Sequence, residues 1–137
     1  MKHNHLVSLL LIATLAACRS TGAPAPHAAS LNQEVQLAPK EQAAYGPQGL
    51  TVEFVRIVED SRCPKDTTCV WAGEVKVQVA TRVGSAEPVQ QHEIKAGESA
   101  AVGAFQVSIV NVQPEKLSTR EIPQEEYRVT LKVEQRQ

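Results

Sequence analysis

The residues able to do chemistry in this chain concentrate between positions 60 and 73. The segment reads Asp60-Ser61-Arg62-Cys63-Pro64-Lys65-Asp66-Thr67-Thr68-Cys69-Val70-Trp71-Ala72-Gly73. Dithiol redox chemistry favours two residues between the sulfurs, and here five intervene. Zinc needs about four ligands, and beyond a processed N-terminus only His27 and His92 remain to join the two cysteines. His27 lies in an Ala/Pro-rich stretch, and His92 reads as an exposed strand residue. Asp60, Asp66 and Glu74 offer oxygen ligands for a hard cation such as calcium. The competing reading, a solvated acidic rim beside Arg62 and Lys65, is the one adopted, so neither metal nor cofactor is expected. Nucleophilic hydrolysis needs Ser or Cys beside a base and an orienting acid, and His92 is the only histidine in the expected domain. The neighbouring carboxylates Glu59 and Asp60, like Glu125 and Glu126, would point to opposite faces of a strand. No catalytic residue stands out, and the chain does not read as an enzyme.

The third cysteine, Cys18, sits in a different setting. Residues 1–5 are polar, with Lys2 as the fixed positive charge, and an apolar run of about eleven residues comes next, broken only by Ser8 and Thr14. A membrane-spanning helix needs about 20 apolar residues, so the run is too short for one and reads as a secretory signal peptide. Its end, Leu15-Ala16-Ala17-Cys18, resembles the lipobox of bacterial lipoproteins. That resemblance implies cleavage before Cys18, so that residues 1–17 are the signal peptide, and lipid attachment at the Cys18 sulfur. The alternative is an ordinary cleavage site followed by a free thiol. Two acyl chains suffice for stable anchoring where one does not, and lipoproteins of this kind carry a diacylglycerol on the cysteine. Arg19 rather than Asp comes after the cysteine, which favours the outer membrane. The expected location is the cell envelope, lipid-anchored, facing the periplasm, with the bilayer as first partner through acylated Cys18.

Removal of residues 1–17 takes away Lys2 and no acid, leaving 13 basic against 15 acidic residues and a net charge of −2. A nucleic-acid binder would show a basic stripe; none is present, and aromatics make up only 4% of the chain, too few for a stacking platform. No nucleic-acid partner is expected. Residues 18–31 contain the lipidated cysteine and a tether centred on Ala23-Pro24-Ala25-Pro26. They have little to bury and are expected to be disordered, with a reach of about 40 Å at ~3.3 Å per residue. Residues 32–137 are enough for one domain with one core.

Within that domain the apolar residues alternate. Leu50, Val52 and Phe54 form one series; Val75, Val77 and Val79 a second; Phe105, Val107 and Ile109 a third; Tyr127, Val129, Leu131 and Val133 a fourth. Period-2 patterns with one apolar face mark half-buried strands. Weaker strands are expected at 34–37, 42–45 and 89–94. Turn signals separate them: 46–49, Gly84 to Pro88, 95–98, and a longer connection bounded by Pro114 and Pro123. About seven strands and no helix predict an all-β domain, an immunoglobulin-like antiparallel sandwich; the alternative is a small β-barrel. Tyr127 is placed either at a tyrosine corner or, as the preferred reading, in the core.

With Cys18 assigned to lipid, an even pair remains in an oxidising compartment, so Cys63 and Cys69 are expected to form a disulfide. For so short a loop the chain-entropy contribution is about 2 kcal/mol, so its main effect is on loop shape. Trp71, the only tryptophan, is expected to lie under the loop as a lid on the core, with an exposed stacking residue as the alternative. Gly73 is expected to supply a bulge or a close backbone approach.

Residues 60–73 together with their flanking strands resemble a family of small bacterial secreted proteins and lipoproteins. Its pattern is the Asp60-Ser61-Arg62-Cys63-Pro64 sequence, a short gap, then Cys69-Val70-Trp71-Ala72-Gly73 and an alternating strand. Phe54, Val58, Glu59 and the ending from Pro123 to Val133 suit it as well. The family has no assigned activity, so the resemblance implies a fold and a compartment and brings no catalytic residue. The functional expectation is a non-catalytic binding or structural module of the envelope, with an envelope protein as a possible partner. Arg62, Lys65 and Trp71 are its candidate binding residues. The alternative is a secreted-protease inhibitor that presents the Cys63–Cys69 loop.

Overall fold

A computed structural model describes residues 22–137. Cys18 and the expected signal peptide lie outside these residues. The described chain folds into two sheets that face one another and do not close into a barrel, the sandwich rather than the barrel. The strands are β1 (His27–Ala28), β2 (Glu34–Leu37), β3 (Gln42–Tyr45), β4 (Leu50–Asp60), β5 (Val75–Val83), β6 (Gln90–Lys95), β7 (Ser99–Val102), β8 (Phe105–Gln113) and β9 (Arg128–Gln135). One sheet has the order β1-β3-β4-β5-β6 and the other β2-β9-β8-β7.

Alternation drives this arrangement. Val75, Val77 and Val79 of β5 share one buried cluster with Val107, Ile109, Val129 and Leu131 of the opposite sheet, and the cluster also holds Tyr45, Phe54 and Leu37. Removing this apolar surface from water supplies about 25 cal/mol per Å2. Three register shifts interrupt the rhythm. Two lie in β4, between Phe54 and Arg56 and between Ile57 and Glu59; Phe54 and Ile57, three residues apart, are both buried. In β8 a shift between Ile109 and Asn111 buries both Ile109 and Val112. A bulge adds a residue to one strand, bends it and re-aims the side chains beyond it. The β4 shifts lie on the approach to the segment from 60 to 73.

Among the described residues nine strands stand where about seven are expected. β7 carries Ser99, Ala100 and Ala101, residues too small to give an apolar alternation. β1 falls inside the stretch expected to be a disordered tether. Its two residues pair in parallel with β3, His27 opposite Ala43 and Ala28 opposite Ala44. The Ala29 amide donates to the Ala44 carbonyl at 2.9 Å, and Ala29 and Leu31 pack against the core. The ordered domain therefore begins before residue 32. His92 also departs from expectation: it is half-buried, and its Nε2 lies 3.0 Å from the Oγ1 of buried Thr81. In the core, the Tyr45 hydroxyl has no hydrogen-bond partner among the described residues.

Candidate functional site

The segment from 60 to 73 leaves the end of β4 and returns into β5. Ser61 and Glu74 close its neck: the Ser61 amide donates to the Glu74 carbonyl at 2.8 Å, and the Glu74 amide donates to Ser61 Oγ at 3.1 Å. The next rung runs from the Cys63 amide to the Ala72 carbonyl at 2.9 Å. Gly73 sits in this neck with φ +68°, and a Cβ there would lie 1.8 Å from the Ser61 carbonyl oxygen. Close approach, one of the two roles expected for Gly73, is the one it has. Beyond the neck, Cys63 and Cys69 are joined by a disulfide with their Cα atoms 5.9 Å apart.

Asp60 is the hub beneath the loop. Its Oδ1 accepts from Arg62 Nε at 2.8 Å and its Oδ2 from Arg62 Nη2 at 2.6 Å, while the Tyr127 hydroxyl donates to Oδ2 at 2.9 Å. Bidentate, charge-assisted bonds of this type are the strong ones. Burial alone would raise the Asp60 carboxyl; the bonds from Arg62 and Tyr127 outweigh it and hold the group below its ordinary value. Burial, and then the bond to Asp60, push the Tyr127 phenol up to about 12. Tyr127 is thus a core residue whose hydroxyl reaches the loop.

Sequence alone points to Arg62 as a recognition residue, and the structure turns it inward. Its side chain is 21% exposed. Besides Asp60 it donates to the Val112 carbonyl at 2.9 Å and the Pro114 carbonyl at 3.1 Å. All three guanidinium nitrogens are thereby engaged within the protein. Lys116 adds a bond from Nζ to the Asp60 carbonyl at 2.8 Å. Farther out, the Lys65 amide donates to the Lys116 carbonyl at 2.9 Å, and the Lys65 ammonium pairs with Glu115 on the surface. Asp66 accepts from the Ser118 amide at 2.9 Å and its hydroxyl at 2.7 Å. The loop is therefore braced along its length by the connection between β8 and β9.

The three acids weighed as cation ligands are drawn apart by these partners. Asp60 faces Arg62, and Asp66 faces Ser118. Glu74 lies 2.8 Å from Lys95 and 3.0 Å from Lys76, whose ammonium groups hold its carboxyl below the usual range. Among the described residues, no three His, Cys, Asp or Glu gather as a metal site.

Trp71 overturns the expectation of a lid. It is 81% exposed, and its neighbour Val70 is 88% exposed. The physical reason is the neck: the Cys63–Ala72 rung and the Gly73 contact turn residues 69–72 away from the sandwich. The end of the core is closed instead by Val75, Val112 and Tyr127, all buried. The exposed tip, residues 67–73, carries no charge. Of the candidate binding residues, Lys65 and Trp71 are exposed, and Arg62 is half-buried with its guanidinium engaged within the protein. Sequence reasoning misses Val70, whose signal is an uncharged run without strand alternation.

Comparison with family models, with curated proteins and with solved structures finds no match for this chain. The functional reading therefore rests on the geometry of the loop.

Proposed function

We propose that this chain is a lipid-anchored, non-catalytic module of the bacterial envelope whose contact surface is the Val70–Trp71 tip. The observation that carries the reading is the division of labour within residues 60–73. The polar residues Asp60, Ser61, Arg62 and Asp66 are hydrogen-bonded to partners within the protein, and two large apolar residues are turned to water. Large side chains held in water on a preorganised loop reduce the entropy lost on contact. Isolated apolar residues on a surface are ordinary; a braced, uncharged tip bearing the only tryptophan is a more specific arrangement. The lipobox resemblance at Cys18 and the family pattern of residues 60–73 support the compartment.

A protease inhibitor would present a basic side chain from the loop. Arg62 is committed to four acceptors in Asp60, Val112 and Pro114, which weighs against it and leaves Lys65 as the basic side chain open to solvent.

Two measurements test the proposal. Intact mass of material from bacterial membranes should show loss of residues 1–17 and a diacylglyceryl modification at Cys18. A Val70→Ser/Trp71→Ala variant should melt with the parent, as a surface role requires, whereas Arg62→Ala should melt lower. An unprocessed chain, or a tip variant that melts far below the parent, would overturn it.

A further inference from the structure

The sheet topology says which end of the domain faces the anchor. β1 runs parallel to β3, and β3 runs antiparallel to β4. The chain before His27 therefore points toward the end where β4 finishes at Asp60, the same pole that carries the disulfide loop. His27 lies level with Val52 of β4 through Ala43. From Val52 to Asp60 the two bulges leave six paired steps, Thr81 to Val75 on β5, a rise of about 20 Å at ~3.3 Å per residue. From Cys18 to His27 there are nine residues, which reach about 30 Å when extended. The reach exceeds that rise, so the tether is long enough for a lipid on Cys18 to bring the bilayer surface to the pole where Val70 and Trp71 project.

We infer that the Val70–Trp71 tip inserts into the lipid–water interface of the membrane that holds the anchor, as a second membrane contact of the same molecule. This rests on the anchored reading proposed above. The chemistry fits an interface. Tryptophan is enriched at the headgroup level, where its ring is apolar and its N–H remains wet. The tip from 67 to 73 has no charge to desolvate. The charged residues behind it are already paired, Lys65 with Glu115 and Asp66 with Ser118. Anchoring raises the effective concentration of the tip at the surface, so a contact too weak to recruit a free domain suffices to orient a tethered one. The sandwich then stands on its loop pole rather than swinging on its leash.

Trp71 is the only tryptophan, so emission reports the tip alone. The full-length lipidated chain, purified from membranes and reconstituted into vesicles of phosphatidylethanolamine and phosphatidylglycerol, is floated on a density gradient. The floated fraction is then compared with the same protein in vesicles containing brominated acyl chains. The expected result is emission shifted to shorter wavelength, loss of intensity with brominated lipid, and poor quenching by aqueous acrylamide. Val70→Asp should float and melt like the parent and lose the bromolipid quenching. Floated protein whose Trp71 stays fully open to acrylamide overturns the inference and leaves the anchor standing. Blue-shifted emission without bromolipid quenching also overturns it, because a protein surface then covers the tip. Protein that does not float overturns the anchored reading itself, and this inference with it.

Discussion

The Tyr127 hydroxyl donates to Asp60 Oδ2 at 2.9 Å across 67 residues of sequence. This contact ties the start of the last strand to the end of β4, and through Asp60 it reaches Arg62 and the disulfide loop. The Asp-Ser-Arg-Cys-Pro sequence is accordingly a brace. Asp60 gathers donors, Ser61 closes the neck, Arg62 ties the loop to Val112 and Pro114, and Cys63 closes the ring with Cys69.

The hub should be the costliest polar feature to break. Arg62→Ala leaves a carboxylate that is 8% exposed with one side-chain donor, Tyr127, and should lower stability by about 3 kcal/mol. Tyr127→Phe removes a single hydrogen bond to a charged acceptor and should cost about 2 kcal/mol. Urea denaturation of the two single variants and the double variant should show coupling, since both act on Asp60.

The same hub gives a pH dependence. The folded Asp60 carboxyl titrates below its ordinary value. Its contribution is therefore complete above the unfolded value, near pH 4, and is lost as pH falls through the folded one. Tyr127 is pushed up to about 12, so its contribution is complete below about pH 10 and is lost as pH rises through about 12. Melting temperature against pH should fall at both ends, and the acid fall should be shallower in Asp60→Asn.

Gly73→Ala should be among the most damaging single substitutions. It combines a left-handed backbone with a Cβ 1.8 Å from the Ser61 carbonyl oxygen, and the backbone cannot yield without opening the neck. A loss of ~2–4 kcal/mol is expected in chemical denaturation.

Replacing both Cys63 and Cys69 with Ala should cost about 2 kcal/mol and leave the fold intact, because the bonds from Arg62, Lys65 and Asp66 to residues 112–118 remain. Lys65→Ala, by contrast, breaks only an exposed pair and should change stability by less than about 0.5 kcal/mol. Thermal melts of the three proteins side by side check the order.

Tyr45→Phe should be neutral or stabilising in the same melts. The Tyr45 hydroxyl is buried without a partner among the described residues, and burial pushes it up to about 12. Removing an unsatisfied polar atom while keeping the ring avoids a desolvation penalty of about 1–3 kcal/mol.

Much of the sandwich is legible because its valines keep strict alternation. β5 and β9 read directly as half-buried strands, and the turn at Gly84 and the long connection after Pro114 fall where the breakers lie. Legibility stops where a contact rather than a pattern decides the outcome. The bulges at Phe54–Arg56 and Ile109–Asn111 change phase without a sequence mark. Beside the first, the Gln124 side chain both accepts from the Ile57 amide and donates to the Ile57 carbonyl, each at 3.0 Å, in place of a strand neighbour. Nothing local to Gln124 announces that role.

The loop shows the same limit. Its disulfide is readable by counting cysteines, but the direction of Arg62 depends on carbonyls 50 and 52 residues away. Trp71 escapes sequence reasoning for a related reason. Tryptophan is highly buried on average, and only the neck at Ser61, Ala72 and Gly73 reveals that this one is turned outward.

The short parallel strand at His27–Ala28 has one more consequence. Laid along β3, it covers backbone groups that would otherwise offer a template for pairing with a neighbouring chain, the hazard of every open sheet edge. That hazard grows wherever copies crowd in two dimensions. The stretch that joins the domain to Cys18 therefore shortens the open edge of β3.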